Sequence, residues 1–256
     1  MLLRLGQTQL SNSVREEEIV LGQDFRKSAR SQKIQKIQKF KFTPPQTGNL
    51  DELERLEGFE PLDEDSYDRI LLEKLVAGPI SVRHLTVENS VFDHVNLASS
   101  TLEEGALRDI AFDTCDFANL QAVEARVRRC HFKGVRLTGA NFSGAKFDGV
   151  FFEACRIDIA SFFNAEMISV GFKSCDLTDS DFREADLAGC LFEDCKLDGV
   201  QFFGSRLKGA RFVDCNLEGA RIGASDLKGV IMAPNQVIDQ SLFMARLLEI
   251  EIEKED

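Results

Sequence analysis

The chain has 256 residues, 43% of them hydrophobic, and a formal net charge of −12 at neutral pH. This acidic balance argues against nonspecific nucleic-acid binding, which needs a basic footprint on the protein surface. No apolar run reaches about 18 residues and no secretory signal is visible, so we expect no transmembrane helix and a cytoplasmic location.

Residues 1–45 form a basic N-terminal extension that is rich in glutamine. Lysines recur every three residues at Lys33, Lys36 and Lys39. The apolar side chains among them are Ile34, Ile37, Phe40 and Phe42. A basic arm of this kind can touch a membrane, a nucleic acid or an acidic partner. We favour a flexible tail or an arm that lies on the protein's own acidic surface.

Residues 46–79 form an acidic linker that ends in a predicted helix. Asp65 or Ser66 can cap a helix that continues to Val76, and Gly78 follows as a stop signal. The apolar face of this helix would contain Tyr67, Ile70, Leu71 and Leu75. A short helix at this place would cover the open end of the domain that follows.

From Ile80 to Met232 a large apolar residue recurs every five positions, at residue numbers ending in 2 or 7. A period of five fits neither a helix, at about 3.6, nor a flat strand, at about 2. It suits a chain that turns a corner every five residues and closes a four-sided coil in 20. Identical residues do recur every 20 positions, at Phe92, Phe112, Phe132, Phe152, Phe172, Phe192 and Phe212. The spacing therefore predicts an all-β solenoid over residues 80–232.

The same register resembles the pentapeptide-repeat family, whose consensus is A-(D/N)-L-x-x. The best matches are Ala140-Asn141-Phe142, Ala185-Asp186-Leu187 and Ser180-Asp181-Phe182. The resemblance implies a right-handed quadrilateral β-helix. Residues 80–232 would supply about 7–8 coils at 20 residues each, between short N- and C-terminal capping helices.

All seven cysteines occupy the inward small position of the repeat, at residue numbers ending in 0 or 5. We interpret them as core residues rather than as metal ligands or disulfides, since free thiols suit a reducing compartment. The three histidines do not recur at the 20-residue spacing, and no HExxH, GxSxG or P-loop pattern occurs. We therefore predict a protein that is not an enzyme and that has no catalytic residues, metal or cofactor.

Two sets of outward residues are candidates for an interaction surface. The apolar set consists of Phe151, Leu191, Phe163 and Phe203. The acidic set consists of Asp176, Asp179, Asp181, Asp198 and Glu218. Exposed aromatic side chains on a regular surface can mark an interface. The N-terminal segment could equally well cover the aromatic column, and the sequence leaves both alternatives open.

Residues 233–256 combine a predicted helix with a predicted strand. The helix spans about 236–248, and Glu249 to Glu253 alternate between acidic and apolar residues as a strand does. This segment could cap the core or, as the family resemblance implies, form a homodimer contact.

The favoured function is a rigid acidic module that binds a protein partner of unknown identity, with no membrane contact and no direct nucleic-acid binding by the rod. The family resemblance implies an alternative, a DNA mimic that binds a type II topoisomerase such as DNA gyrase or topoisomerase IV. Residues 80–232 carry 17 basic and 23 acidic residues, a net charge of −6. This mixed charge and the lack of projecting loops argue against the mimic. A purely structural or assembly role is the third hypothesis.

Overall fold

The computed structural model describes residues 40–252. It is a right-handed, four-sided β-helix of about nine turns, closed at one end by two short helices. At about 4.8 Å per turn, nine turns make a rod roughly 43 Å long.

The strands are short and follow the coils in chain order. The first eight are β1 (Glu54–Arg55), β2 (Ser66–Asp68), β3 (Ile70–Glu73), β4 (Ser81–Arg83), β5 (Thr86–Asp93), β6 (Thr101–Glu103), β7 (Ala106–Asp113) and β8 (Arg126–Arg128). The other eight are β9 (His131–Lys133), β10 (Lys146–Asp148), β11 (Phe151–Glu153), β12 (Glu166–Ile168), β13 (Gly171–Lys173), β14 (Leu191–Glu193), β15 (Arg211–Val213) and β16 (Ile231–Met232). A 3₁₀ turn, Leu50–Glu52, precedes them, and the helices α1 (Pro234–Asp239) and α2 (Ser241–Leu247) follow.

All strand pairs are parallel, and from β5 onward each residue pairs with the residue 20 positions away. Phe152 lies between Phe132 and Phe172 in this ladder. Single bridges such as Asn141 to Ser161 continue the same register where the strands are interrupted. The predicted 20-residue coil is therefore confirmed.

The rod has four faces, which we name after the buried central residues of one coil. The first face is centred on Phe172, the second on Leu177, the third on Phe182 and the fourth on Leu187. The corner residue after each face is commonly in the left-handed backbone region, as at Asp179 with φ 57°. Glycine is well suited to this position because it lacks a Cβ.

Stacked phenylalanine rings fill the core. On the first face the Phe152 and Phe172 centroids are 4.9 Å apart and their planes differ by 4°. On the third face Phe162 and Phe182 stack at 4.8 Å. The seven cysteines lie in the same core, all buried and all with free thiols.

The expected N-terminal capping helix is wrong. Its residues instead form β2 and β3, which pair with β5. The reason is that the five-residue register continues upstream through Tyr67 and Leu72, so this segment can bury Leu72 and join the ladder. The first coils therefore begin near Glu54 rather than at Ile80, which explains about nine turns instead of 7–8.

Phe59 closes this end of the core in place of the expected helix. Its side chain is 3% exposed, and its ring meets Phe92 edge-on at 5.9 Å.

The C-terminal helices close the other end, as one of the two sequence alternatives predicted. The Gln236 and Gln240 amides donate to the Cys215 carbonyl at 2.7 and 2.8 Å, and the Leu217 N–H donates to Gln240 Oε1 at 3.1 Å. These bonds satisfy backbone groups that have no further coil to pair with. Phe243 covers the apolar core beside them.

The expected strand after these helices is absent from residues 249–252, the part of it that the structure describes. Glu249 adopts φ 56° and ends α2, and Ile250 and Ile252 are exposed. With no neighbouring strand to pair with, the alternating pattern alone does not make a strand.

Candidate interaction surfaces

The described residues, 40–252, contain no group of three or more histidine, cysteine or acidic side chains arranged to hold a metal ion. Burial raises the pKa of Cys115, Cys130 and Cys190 to about 12, so these thiols stay protonated and unreactive near neutral pH. Within the same range no helix is long and apolar enough to span a membrane.

Two of the predicted surface residues, Phe151 and Leu191, are not exposed. Both belong to the outward column of the first face, yet they are only 6% and 1% exposed. Phe42 stacks on Phe151 with a centroid distance of 5.0 Å, and Phe40 approaches the same ring at 6.1 Å. Of the two alternatives that the sequence left open for this column, cover by the N-terminal segment therefore holds at Phe151.

This covering segment, residues 40–46, which we call the strap, runs toward the C-terminal end of the rod as its residue numbers fall. The Gln46 N–H donates to Asp109 Oδ1 at 3.2 Å. Phe42 lies over His131 and Phe151. Phe40 reaches the next coil, where its Cζ would be 2.8 Å from a Cβ at Gly171. Because Gly171 has no side chain, the Phe40 ring can occupy the space beside it.

Asp109 anchors the strap through a buried carboxylate. Arg129 binds both of its oxygens, with Nε to Oδ1 at 2.8 Å. Burial alone would raise the pKa of Asp109. The hydrogen bonds from Arg129 and Gln46, together with the charges of Arg129 and Arg108, bring that pKa below its ordinary value. The carboxylate therefore stays ionised and holds the strap to the rod.

The aromatic residues predicted for the third face are exposed to solvent. Phe163 is 42% exposed and Phe203 is 50% exposed. Arg183 lies between them in the same column, with its guanidinium 5.9 Å from the Phe163 ring centroid. Asp181 fixes that guanidinium by accepting from Nε at 3.0 Å and from Nη2 at 2.7 Å. We call Phe163, Arg183 and Phe203 the aromatic column.

The predicted acidic set does not form one continuous negative patch. Asp176 pairs with Lys196 at 3.2 Å, and Glu218 pairs with Arg246 at 3.0 Å. Asp181 is the carboxylate that binds Arg183.

Asp179 and Asp198 are the two members of this set for which the described residues supply no ion pair. Both lie along the edge between the second and third faces. A Cβ at Gly199 would collide with the Asp179 carboxylate, and one at Gly219 would lie 2.7 Å from Asp198 Oδ1. The remaining negative charge thus lies along one edge of the third face, the edge away from the aromatic column.

A family model described as "Pentapeptide repeat region" matches residues 85–162 and 165–241, together more than half of the chain. The chain belongs to the pentapeptide-repeat family. The ladder and the stacked phenylalanines are thus those of a pentapeptide-repeat rod. No curated protein matches the sequence at a significant level.

Several solved pentapeptide-repeat structures resemble this one at low identity. QnrB1, a plasmid-mediated fluoroquinolone resistance protein, shows 17% identity and a TM-score of 0.33, covering 74% of this chain and all of its own. HetL, involved in heterocyst differentiation regulation in Nostoc, shows 17% identity and a TM-score of 0.24, covering 62% of this chain and 89% of its own. A protein from the Arabidopsis thaliana thylakoid lumen shows 18% identity and a TM-score of 0.23, covering 54% and 86%. At these values none of the three roles transfers to this chain.

Sequence reasoning missed Arg183 and Asp109 as parts of these surfaces. Arg183 could have been found, because it stands 20 residues after Phe163 and 20 before Phe203. Asp109 could not, because its partner Gln46 lies 63 positions away and outside the repeat.

Proposed function

We propose that this pentapeptide-repeat protein is a non-catalytic module that binds a protein partner through the aromatic column of its third face. The observation that carries the proposal is the exposure of Phe163 and Phe203 on either side of Arg183. Aromatic and arginine side chains dominate the binding energy of protein interfaces. Here they stand on a rigid ladder, so little ordering entropy is lost on binding.

The backbone beneath this column is already paired, which determines how a partner can bind. The carbonyls of Phe163, Arg183 and Phe203 accept hydrogen bonds from the preceding coil, at 2.9, 3.0 and 3.3 Å. A partner therefore cannot add a strand to this face. It has to be recognised by side chains, with an apolar group placed against the two exposed rings.

Charge supports a partner with a basic rim. Arg183 is neutralised by Asp181, while Glu184 is the corner residue next to Arg183 and Asp179 is the corner residue at the other edge of the same face. The repeat region as a whole carries a net charge of −6, from 17 basic and 23 acidic residues. Complementary charge speeds association and selects partners of opposite sign.

The proposal also includes a cytoplasmic location, supported by the seven free thiols in the core. Free cysteines of this number suit a reducing compartment.

The DNA-mimic alternative, with DNA gyrase or topoisomerase IV as partner, has less support. Ion pairs between neighbouring coils neutralise much of the rod, as in Asp116–Arg136 and Asp186–Arg206. A mimic needs a continuous negative surface to compete for a basic DNA channel. Lack of inhibition of gyrase supercoiling by micromolar protein would reject this alternative.

The experiment that tests the interaction proposal is affinity capture with the Phe163→Ala/Phe203→Ala double variant. We expect a partner captured by the wild-type chain from native cell extract to be lost with this variant. The matched control is Ile168→Ala, which removes a 62% exposed side chain from the fourth face. Calorimetry with the purified partner then measures both variants. A partner that binds all three proteins equally would refute the aromatic column, and the absence of any specific partner would favour a purely structural role.

A further inference from the structure

The two exposed rings of the aromatic column lie two coils apart on the third face. Bridges between neighbouring coils keep a register of 20 residues along this face, and Phe163 and Phe203 are separated by two such steps. Two coils advance about 9.6 Å along the rod. A segment that binds both rings must therefore present apolar groups at about this spacing along one of its sides.

Among the regular backbone conformations, polyproline II fits this spacing best. Three of its residues advance about 9.3 Å and bring the side chain back to the same side of the segment. Alternate residues of a strand are only about 6.7 Å apart, and residues seven positions apart on a helix are about 10.5 Å apart. The spacing thus favours an extended segment with threefold symmetry.

We propose that the partner presents a proline-rich segment, which binds along the third face with every third residue against a ring of the aromatic column. This inference rests on the proposed function and specifies the ligand of the same surface. Proline holds φ near about −65°, so a proline-rich segment has the polyproline II conformation before it binds. Aromatic side chains commonly line the docking sites of such segments, because little conformational entropy is lost there.

The hydrogen-bonding groups of the column suit the same ligand. A proline has a carbonyl acceptor and no backbone donor. Asp181 binds Nε and Nη2 of Arg183, so the Nη1 group keeps its donors for a carbonyl of the segment. The backbone carbonyls of Phe163, Arg183 and Phe203 are already paired, so none of them needs an N–H from the ligand.

Charge supports an uncharged segment with a basic residue beside it. Arg183 is the charged member of the column, and the Asp181 carboxylate neutralises it. Glu184 has no ion pair among residues 40–252, and its Oε1 would lie 2.8 Å from a Cβ at Gly204, the residue after Phe203. A lysine or arginine at the end of the prolines would pair with this carboxylate.

Fluorescence anisotropy of a labelled decaproline with a lysine at each end tests the proposal. We expect saturable binding to the wild-type chain. Binding to Phe163→Ala and to Phe203→Ala should each be at least about tenfold weaker, because each variant removes a ring from the site. The control peptide alternates glycine and serine between the same two lysines. It keeps the length and charge of the probe without its preformed conformation, and it should not bind.

A variant that keeps two exposed rings tests the spacing. Ser143→Phe/Phe203→Ala places the rings one coil apart, at about 4.8 Å. It should bind decaproline as weakly as Phe203→Ala alone, which also serves as the test if the double variant does not fold by circular dichroism. Wild-type affinity in either variant would overturn the proposal, as would the absence of saturable binding to the wild-type chain.

Competition separates this inference from the proposed function. We expect decaproline to displace the captured partner from the wild-type chain. A partner that needs both rings but that decaproline does not displace would refute the proline-rich ligand and leave the proposed function intact. A partner that binds Phe163→Ala/Phe203→Ala as tightly as the wild type would refute the aromatic column, and the inference with it.

Discussion

Single residues of the phenylalanine stacks carry much of the stability of the rod. Phe172 is fully buried and lies between Phe152 and Phe192, with centroid distances of 4.9 and 5.1 Å. Outward residues such as Asp179 have no comparable packing. Substitutions at inward positions should therefore lower the free energy of unfolding far more than substitutions at outward positions of the same coil.

Phe172→Ala should lower the free energy of unfolding by about 3–5 kcal/mol, because it leaves a cavity in a rigid stack. Asp179→Ala, in the same molecule but on a corner, should cost far less than Phe172→Ala. Urea denaturation of both variants measures the difference. Equal losses would show that the assignment of inward and outward positions is wrong.

The Asp109 carboxylate should make the strap sensitive to acid. Its pKa is lowered in the folded protein, so its contribution is present above the ordinary Asp pKa of about 3.9 and is lost as the pH falls through the folded value. Asp109→Asn should lower the free energy of unfolding at pH 7 by on the order of 3 kcal/mol, the cost of breaking a buried pair. In urea titrations, the gap between variant and wild type should narrow by pH 3. A gap that stays constant with pH would contradict the role of its charge.

At the scale of elements, the strap and the C-terminal helices complete the β-helix in different ways. The strap covers a side of the rod with aromatic rings, whereas α1 and α2 satisfy backbone groups at its end. Each depends on a few specific contacts, so each can be removed without changing the repeat.

Gly171→Val should expel Phe40, since a Cβ at this position would lie 2.8 Å from both the Phe40 and the Phe151 rings. The backbone at Gly171 does not need a positive φ, so the substitution should leave the coil intact. We expect faster tryptic cleavage after Lys41, followed by mass spectrometry. Ala188→Val, on the fourth face, is the control. Unchanged cleavage in Gly171→Val would mean that Phe40 is not held in place by this space.

Gln240→Leu should weaken the C-terminal cap by about 1–3 kcal/mol, because the Leu217 N–H and the Cys215 carbonyl lose a buried partner. The measurement is thermal and urea unfolding compared with Asn235→Ala, an exposed neighbour on α1. If both variants unfold like the wild type, the side-chain bonds at this end contribute nothing to stability.

At the scale of the whole molecule, the sequence predicts the core of the rod far better than it predicts which parts of its surface are exposed. The inward positions follow from the period of five, which assigned residues as far apart as Phe92 and Phe212 to one stack. The first coils were missed because Tyr67 and Ile70 also fit a helical spacing, and only pairing with β5 decides between the two. The sequence did not decide whether Phe151 is buried, for a different reason. Phe40 and Phe42, which cover its ring, are more than 100 positions away, and the five-residue period contains no sign of such a contact.

The last prediction concerns assembly, since the cap that buries Phe243 leaves an apolar stripe on its outer side. Val237, Ile238, Leu242 and Leu248 are between 46% and 71% exposed. Exposed apolar stripes of this kind commonly bury themselves against a second copy.

We expect the wild-type chain to dimerise through this stripe and to show twice the monomer mass of 28.7 kDa in light scattering at micromolar concentration. Ile238→Lys/Leu242→Lys should be monomeric with a similar melting temperature, because neither side chain packs on the core. Ile168→Lys, which places the same charge on the fourth face, should remain dimeric. A wild-type chain that stays monomeric at high concentration would show that α1 and α2 act as a cap alone.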